Sequence, residues 1–223
     1  MSLSRLRSLV RPQSFASSLT SRRLYSTLPT VCPSCGKPLP TRLPICPACS
    51  HIAPLPPATT YYEVFDLHNN SYIIDTKDLR NRFLKTQRLM HPDAWSAKPE
   101  KDKATAATYS SFVNKGYETL KSPLKRAEYL LSLRGTETGE TDSLEDPHFI
   151  MEIMETRESV EEAETRDVLE TLLAENHERT QDEIETIAKA FDSGDLKIAI
   201  EASVRLKYRI GVQDSINARL HNM

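Results

Sequence analysis

The chain has 223 residues, 39% hydrophobic and 27% charged, with 14 prolines, six glycines, four cysteines and one tryptophan. A formal net charge of −2 argues against a nucleic-acid binder, and no apolar run approaches the ~18 residues that a membrane helix needs, so neither nucleic acid nor membrane is an expected partner. The charge is unevenly spread: residues 1–30 carry five arginines and no acid, residues 59–134 a net +4, and residues 144–223 a net −10. A basic middle and an acidic end point to two different partners.

Residues 1–30 read as a mitochondrial targeting segment. They are arginine- and serine-rich and acid-free, and Leu3, Leu6, Val10 and Phe15 can form the apolar side of an amphipathic helix. Arg23-Leu24-Tyr25-Ser26 looks like a matrix-protease cleavage site. The expected location is the mitochondrial matrix, with a disordered basic tail as the alternative.

All four cysteines fall in residues 31–52, as Cys32-Pro33-Ser34-Cys35 and Cys46-Pro47-Ala48-Cys49 with ten residues between the pairs. Two such knuckles supply the four thiolates of a tetrahedral structural zinc site. Four cysteines close the coordination sphere and leave no position for a reactive water, which disfavours catalytic zinc. Disulfides are disfavoured in a reducing matrix. Residues 53–58, which include Pro54-Leu55-Pro56-Pro57, read as a semi-rigid linker.

Residues 59–134 form the basic middle. Thr59 or Thr60 can cap a first short helix, and Asp75 or Thr76 a second. From Asp75 to Met90 the helical period gathers Leu79, Phe83, Thr86 and Met90 on one side. Lys77, Lys85 and Arg88 lie opposite, with Arg82 on the flank. Lys101 to Lys121 carries a matching stripe of Phe112, Val113, Tyr117 and Leu120. Proline disfavours helical geometry in the residue before it, so the first long helix should end near His91 and leave His91-Pro92-Asp93 exposed at the tip of a helical hairpin. The basic face beside this tripeptide predicts a docking surface, although such faces are more often merely solvated. No third group completes an acid–base pair, so no enzymatic activity is expected.

Lys121-Ser122-Pro123-Leu124 opens a further helix through Leu133, and residues 135–145 read as a loop. From Asp146 to the end, 146–223, helices are expected near 146–164, 166–191 and 195–220, joined by short turns into an antiparallel three-helix bundle. The first of these has two apolar sides: Phe149, Ile153, Thr156 and Val160, and a second of Ile150, Met151 and Met154 continued by Glu155, Glu158 and Glu162. A small bundle buries only one face of each helix. The second patch is therefore either a binding surface, for which methionine is well suited, or is buried against the preceding domain.

Residues 59–121 resemble a J-domain, the module that stimulates ATP hydrolysis by DnaK-type, seventy-kilodalton heat-shock chaperones. The run from Ser122 to Gly135 and the stretch Phe149–Glu158 resemble one J-protein subgroup, the HscB or Jac type of iron–sulfur cluster co-chaperone. The four-cysteine segment matches the version of that family with an N-terminal pair of zinc knuckles. This resemblance implies an all-α fold, a J-domain hairpin followed by a three-helix bundle and preceded by a small zinc module. It implies that Lys77, Arg82, Lys85 and Arg88 dock on an acidic chaperone surface, with His91, Pro92 and Asp93 acting on the residues that gate hydrolysis. It further implies that Ile150, Met151, Met154, Glu155, Glu158, Glu162 and Tyr208 contact an IscU-type scaffold protein. Zn2+ held by Cys32, Cys35, Cys46 and Cys49 is the expected cofactor. A general J-protein for unfolded clients and a zinc-ribbon nucleic-acid adaptor are the competing classes.

Overall fold

The computed structural model describes residues 30–39, 45–67, 70–136 and 146–223. Almost all of the expected targeting segment and most of the expected loop at 135–145 lie outside the described residues. Seven α-helices are found among the described residues: α1 Tyr61–Val64, α2 Thr76–Met90, α3 Glu100–Lys121, α4 Pro123–Leu133, α5 Pro147–Glu162, α6 Arg166–Ser193 and α7 Leu196–Asn222. The only extended pairings there are two isolated antiparallel bridges, Val31 with Pro38 and Ile45 with Ile52. The architecture is all-α, as expected.

Local chemistry sets the helix ends. Thr60 and Glu63 form a reciprocal capping box at α1, so two orphan N–H groups are satisfied at once. The Asp75 carboxylate accepts from the N–H groups of Lys77 and Asp78. α4 and α5 each begin on a proline, whose missing N–H costs nothing in the first turn, behind the caps Ser122 and Asp146. Gly194, with φ of 78°, takes the left-handed conformation that closes α6 and turns the chain directly into α7.

α2 and α3 pack antiparallel around Leu79, Val113 and Leu120, with Phe83 stacked on Tyr117 at 4.2 Å between ring centroids. α1 crosses α3 at Gly116. A Cβ there would lie 2.9 Å from Cδ1 of Tyr61, whose ring is buried against Phe112 and Tyr129 and has no room to retreat. Gly116→Ala is therefore expected to lower stability by about 1–3 kcal/mol, the usual cost of overpacking, despite alanine's better helix propensity. Chemical denaturation of the variant checks it.

One buried cluster joins the hairpin to the bundle. Ile187, Ala190 and Phe191 of α6 and Ala199, Ala202 and Leu206 of α7 join Tyr62, Phe65, Leu130 and Leu131 in one buried cluster, with α4 as the joint. Arg126 pins the corner: Nε donates to the Leu120 carbonyl at 2.7 Å and Nη1 to the Tyr72 carbonyl at 2.6 Å. The Arg134 guanidinium lies over Phe191, 4.8 Å from the ring centroid. α6 and α7 form a long antiparallel pair, about 40 Å at 1.5 Å per residue. α4 covers the end near Gly194. α5 lies along the other half, burying Phe149, Ile153 and Val160 against Leu169, Val212 and Ile216.

The proline-rich residues 53–58 do not hold the cysteine module away from the helices. Ala53 is buried, and Leu55 packs with Ile45 against a third cluster of Ile52, Met90, Trp95, Ala106 and Tyr109. A hairpin this small has no apolar core of its own, and its isoleucines gain burial only on the tip of α2–α3.

Candidate functional site

α2 stops at Met90. His91, in extended geometry at φ −59° and ψ 131°, caps a 3₁₀ turn from Pro92 to Trp95. The Asp93 N–H donates to His91 Nδ1 at 3.3 Å and the Ala94 N–H to the His91 carbonyl at 3.0 Å. Nδ1 is thereby the acceptor that shapes the turn. Trp95 anchors the turn from below: its indole N–H donates to the Leu89 carbonyl at 2.9 Å, one of the orphan carbonyls at the end of α2, and the side chain is 5% exposed. His91, Pro92 and Asp93 are exposed, the Asp93 side chain 92% so. The turn thus presents a carboxylate to solvent on a braced backbone.

Lys77, Lys85 and Arg88 are exposed on the face of α2 turned away from α3. Arg82 is engaged elsewhere. Its Nη1 donates to the carbonyls of Phe65 (3.1 Å) and Asp66 (2.9 Å), and its Nε donates to Asp78 at 2.7 Å, so it ties α2 to the end of α1. Arg80, absent from the sequence-based set, is exposed, and the half-exposed Leu84 lies one turn further on. The run Lys77, Arg80, Leu84, Arg88 at helical spacing was a readable signal for both.

On α5 the second patch is open to solvent. Met151 is 61% exposed and Met154 66%, and Glu155, Glu158 and Glu162 are exposed beside them. Burial against the preceding domain is thereby set aside. Ile150 and Tyr208 are partly buried at the border of this face, and Tyr208 meets Phe149 edge-on at 5.9 Å. A polar clamp fixes the helix beneath. Glu152 Oε1 lies 2.9 Å from Nη1 of the buried Arg209 on α7 and 2.6 Å from Nη1 of Arg179 on α6. Arg209 also covers the Phe149 ring. Sequence reasoning missed this clamp, because the three charges come from three helices.

The Arg209 guanidinium, by direct contact and by charge, with help from the charge of Arg179, holds the Glu152 carboxyl below its ordinary value of 4.5. A carboxylate whose folded value is depressed contributes stability at pH values above its unfolded value. That contribution is lost as the pH falls through the folded value. The stability difference between the wild type and Glu152→Gln is expected to be full above about pH 5 and to shrink as the pH falls below 4.5. Thermal unfolding of the pair across that range measures it.

The four sulfurs of Cys32, Cys35, Cys46 and Cys49 lie within 4.8 Å of one another, with Cys32–Cys49 at 3.7 Å and Cys35–Cys46 at 3.5 Å. A tetrahedral zinc with Zn–S bonds of ~2.3 Å separates its sulfurs by about 3.8 Å, whereas a disulfide needs ~2.0 Å. The donor set fits the metal and not the disulfides. Gly36, at φ 71°, and Ser50, at φ 57°, follow the two knuckles, and the N–H groups of Gly36 and Ser50 donate to the carbonyls of Cys32 and Cys46. Burial pushes the Cys46 thiol up, but the N–H groups of Ala48 and Cys49 and the neighbouring thiols outweigh it and bring it to about 6. For Cys35 the Lys37 N–H acts downward, yet desolvation and the other three sulfurs leave it raised to about 12.

Comparison with known proteins bears on the whole assembly. A family model described as the HSCB C-terminal oligomerisation domain matches residues 145–217. The chain is 33% identical over 172 residues to the mouse iron–sulfur cluster co-chaperone protein HscB, covering 77% of this chain and 73% of that protein. The crystal structure of human co-chaperone protein HscB superposes with a TM-score of 0.77 at 31% identity, over 86% of this chain and 100% of that one. The chaperone HscB from Vibrio cholerae gives a TM-score of 0.66 at 28% identity, over 72% and 96%.

Proposed function

The chain belongs to the HscB family of iron–sulfur cluster co-chaperones. On that premise we propose that it binds an IscU-type cluster scaffold protein and delivers it to a DnaK-type chaperone of the mitochondrial matrix, whose ATPase it stimulates. The observation that carries the reading is the presence of two unlike exposed surfaces on two halves joined by one buried cluster: a braced, solvent-facing His91-Pro92-Asp93 turn beside a basic face, and a methionine–glutamate patch on α5.

The chain performs no bond chemistry of its own in this scheme. Lys77, Arg80, Lys85 and Arg88 steer the hairpin to an acidic chaperone surface, and Arg82 holds the geometry of the hairpin from its flank. Complementary charge of this kind acts mainly on the rate and register of encounter. Asp93 and His91 then favour the hydrolysis-competent state of the chaperone. They do so to the extent that they bind it better than the alternative state, the only way a partner shifts an equilibrium. Ile150, Met151, Met154, Glu155, Glu158, Glu162 and Tyr208 receive the scaffold. Because both surfaces share one body, a bound scaffold is held near the chaperone at a raised effective concentration.

Cys32, Cys35, Cys46 and Cys49 hold a structural Zn2+, which supplies the folding free energy that this coreless module lacks. Matrix location follows from the arginine-rich, acid-free composition of residues 1–30. The test is steady-state ATP hydrolysis by a matrix DnaK-type chaperone with the chain alone, and with the chain plus scaffold. Acceleration by the chain and further acceleration by the scaffold are expected, and no acceleration overturns the proposal. Equal enhancement by denatured polypeptides would mark a general J-protein instead.

A further inference from the structure

The four-cysteine hairpin and the His91–Asp93 turn are distant in sequence and adjacent in space. Ile45 and Ile52, paired by the bridge that closes the second knuckle, and Leu55 beyond it share one apolar cluster with Met90, Trp95, Ala106 and Tyr109. Met90 immediately precedes His91, and Trp95 ends the 3₁₀ turn that begins at Pro92. The exposed tripeptide is therefore bracketed by two side chains whose burial the hairpin completes. This cluster is distinct from the core that holds α2 to α3 through Leu79, Val113 and Leu120. Lifting the hairpin would loosen the tip without unfolding the helices.

Two further observations favour a reversible seat over a permanent one. The Tyr109 hydroxyl lies buried in the cluster with no hydrogen-bond partner among the described residues. Exposure to water would satisfy it, so undocking is opposed by less than the apolar area alone implies. Among the described residues, five backbone hydrogen bonds close the hairpin's two knuckles, those donated by Cys32, Gly36, Leu39, Cys46 and Ser50. Its shape, and hence the placing of Ile45 and Ile52, depends on what joins the four sulfurs.

We propose that the four-cysteine hairpin is a metal-dependent clamp on the chaperone-triggering turn: metal-loaded, it seats Ile45 and Ile52 on the Met90–Trp95 cluster and holds His91-Pro92-Asp93 in place, and stripped of metal, it releases them. This rests on the zinc reading above. It makes the thiol state of the module a control on the tip of the hairpin, about which the scaffold-binding patch learns nothing. Trp95 is the only tryptophan of the chain and reports directly on the seat.

The test compares the full chain loaded with zinc, the same chain after chelation, and the zinc-loaded variants Ile52→Ser and Leu55→Ser. The readouts are Trp95 emission, amide exchange of residues 91–96, and affinity for the DnaK-type chaperone. Chelation and both variants are expected to red-shift the emission, speed exchange in the turn roughly tenfold and weaken chaperone affinity severalfold. Exchange in α6 and α7 stays unchanged, which separates a loosened tip from a failed fold. Zinc restores the chelated wild type but not the variants. Unchanged emission and turn exchange in a variant overturn the clamp whatever the metal content. Failure of zinc to bind the four thiols overturns the metal reading, and the switch with it.

Discussion

Asp93→Ala is expected to abolish stimulation of the chaperone ATPase, a loss of tenfold or more, while scaffold affinity and thermal stability stay at wild-type values. The side chain is 92% exposed, and the His91 ring lies 3.5 Å from its carboxylate. The hydrogen bonds that shape the turn use the Asp93 backbone, its N–H to His91 and its carbonyl to Ser96, and alanine keeps both. Substitutions at such exposed positions usually change stability by no more than about 0.5 kcal/mol. A loss of stimulation therefore reports a missing contact with the partner and not a damaged fold. Single-turnover hydrolysis with saturating variant, beside scaffold binding by calorimetry, separates the two. Full stimulation by the variant would remove the turn from the mechanism.

The double variant Met151→Ala with Met154→Ala is expected to show the opposite pattern. Scaffold affinity falls by about 30-fold, from ~1 kcal/mol for each truncated contact at the centre of an interface. ATPase stimulation in the absence of scaffold is unchanged. Both side chains are more than half exposed and belong to no buried cluster, so their removal opens no cavity. The flanking Glu155, Glu158 and Glu162 act at longer range, and their replacement should mainly slow association and reduce its salt dependence. Wild-type affinity in the methionine variant would move the scaffold site off α5.

Where the sequence was readable, a local rule was at work. Proline after His91 ended α2 where steric restriction requires, and Asp75 capped it. The two faces of α5 were separable by period alone, since Phe149, Ile153 and Val160 lie opposite Met151 and Met154. What stayed hidden depends on contacts between segments far apart in the chain. Arg82 was grouped with the docking residues because helical angle cannot tell that the carbonyls of Phe65 and Asp66 wait beside it. Residues 53–58 had a linker's composition, but Leu55 found an apolar seat near Trp95. Nor could Glu152, Arg179 and Arg209 be joined before the three helices were in register.

The continuous core through α4 also bears on the order in which the molecule matures. Leu130 and Leu131 share their cluster with Ala199, Ala202 and Leu206, and α7 is the last helix in the chain. Synthesis and import into the proposed matrix location both proceed from the N-terminus, so the half that carries His91-Pro92-Asp93 emerges with its α4 side still uncovered. It is completed only when the C-terminal helix docks, a contact between segments some seventy residues apart and slower to form than local pairings. A chain cut short within α6 keeps the tripeptide but lacks the α7 residues that pack with Leu130 and Leu131. The fold in this way ties completion of the half that carries His91-Pro92-Asp93 to the docking of α7.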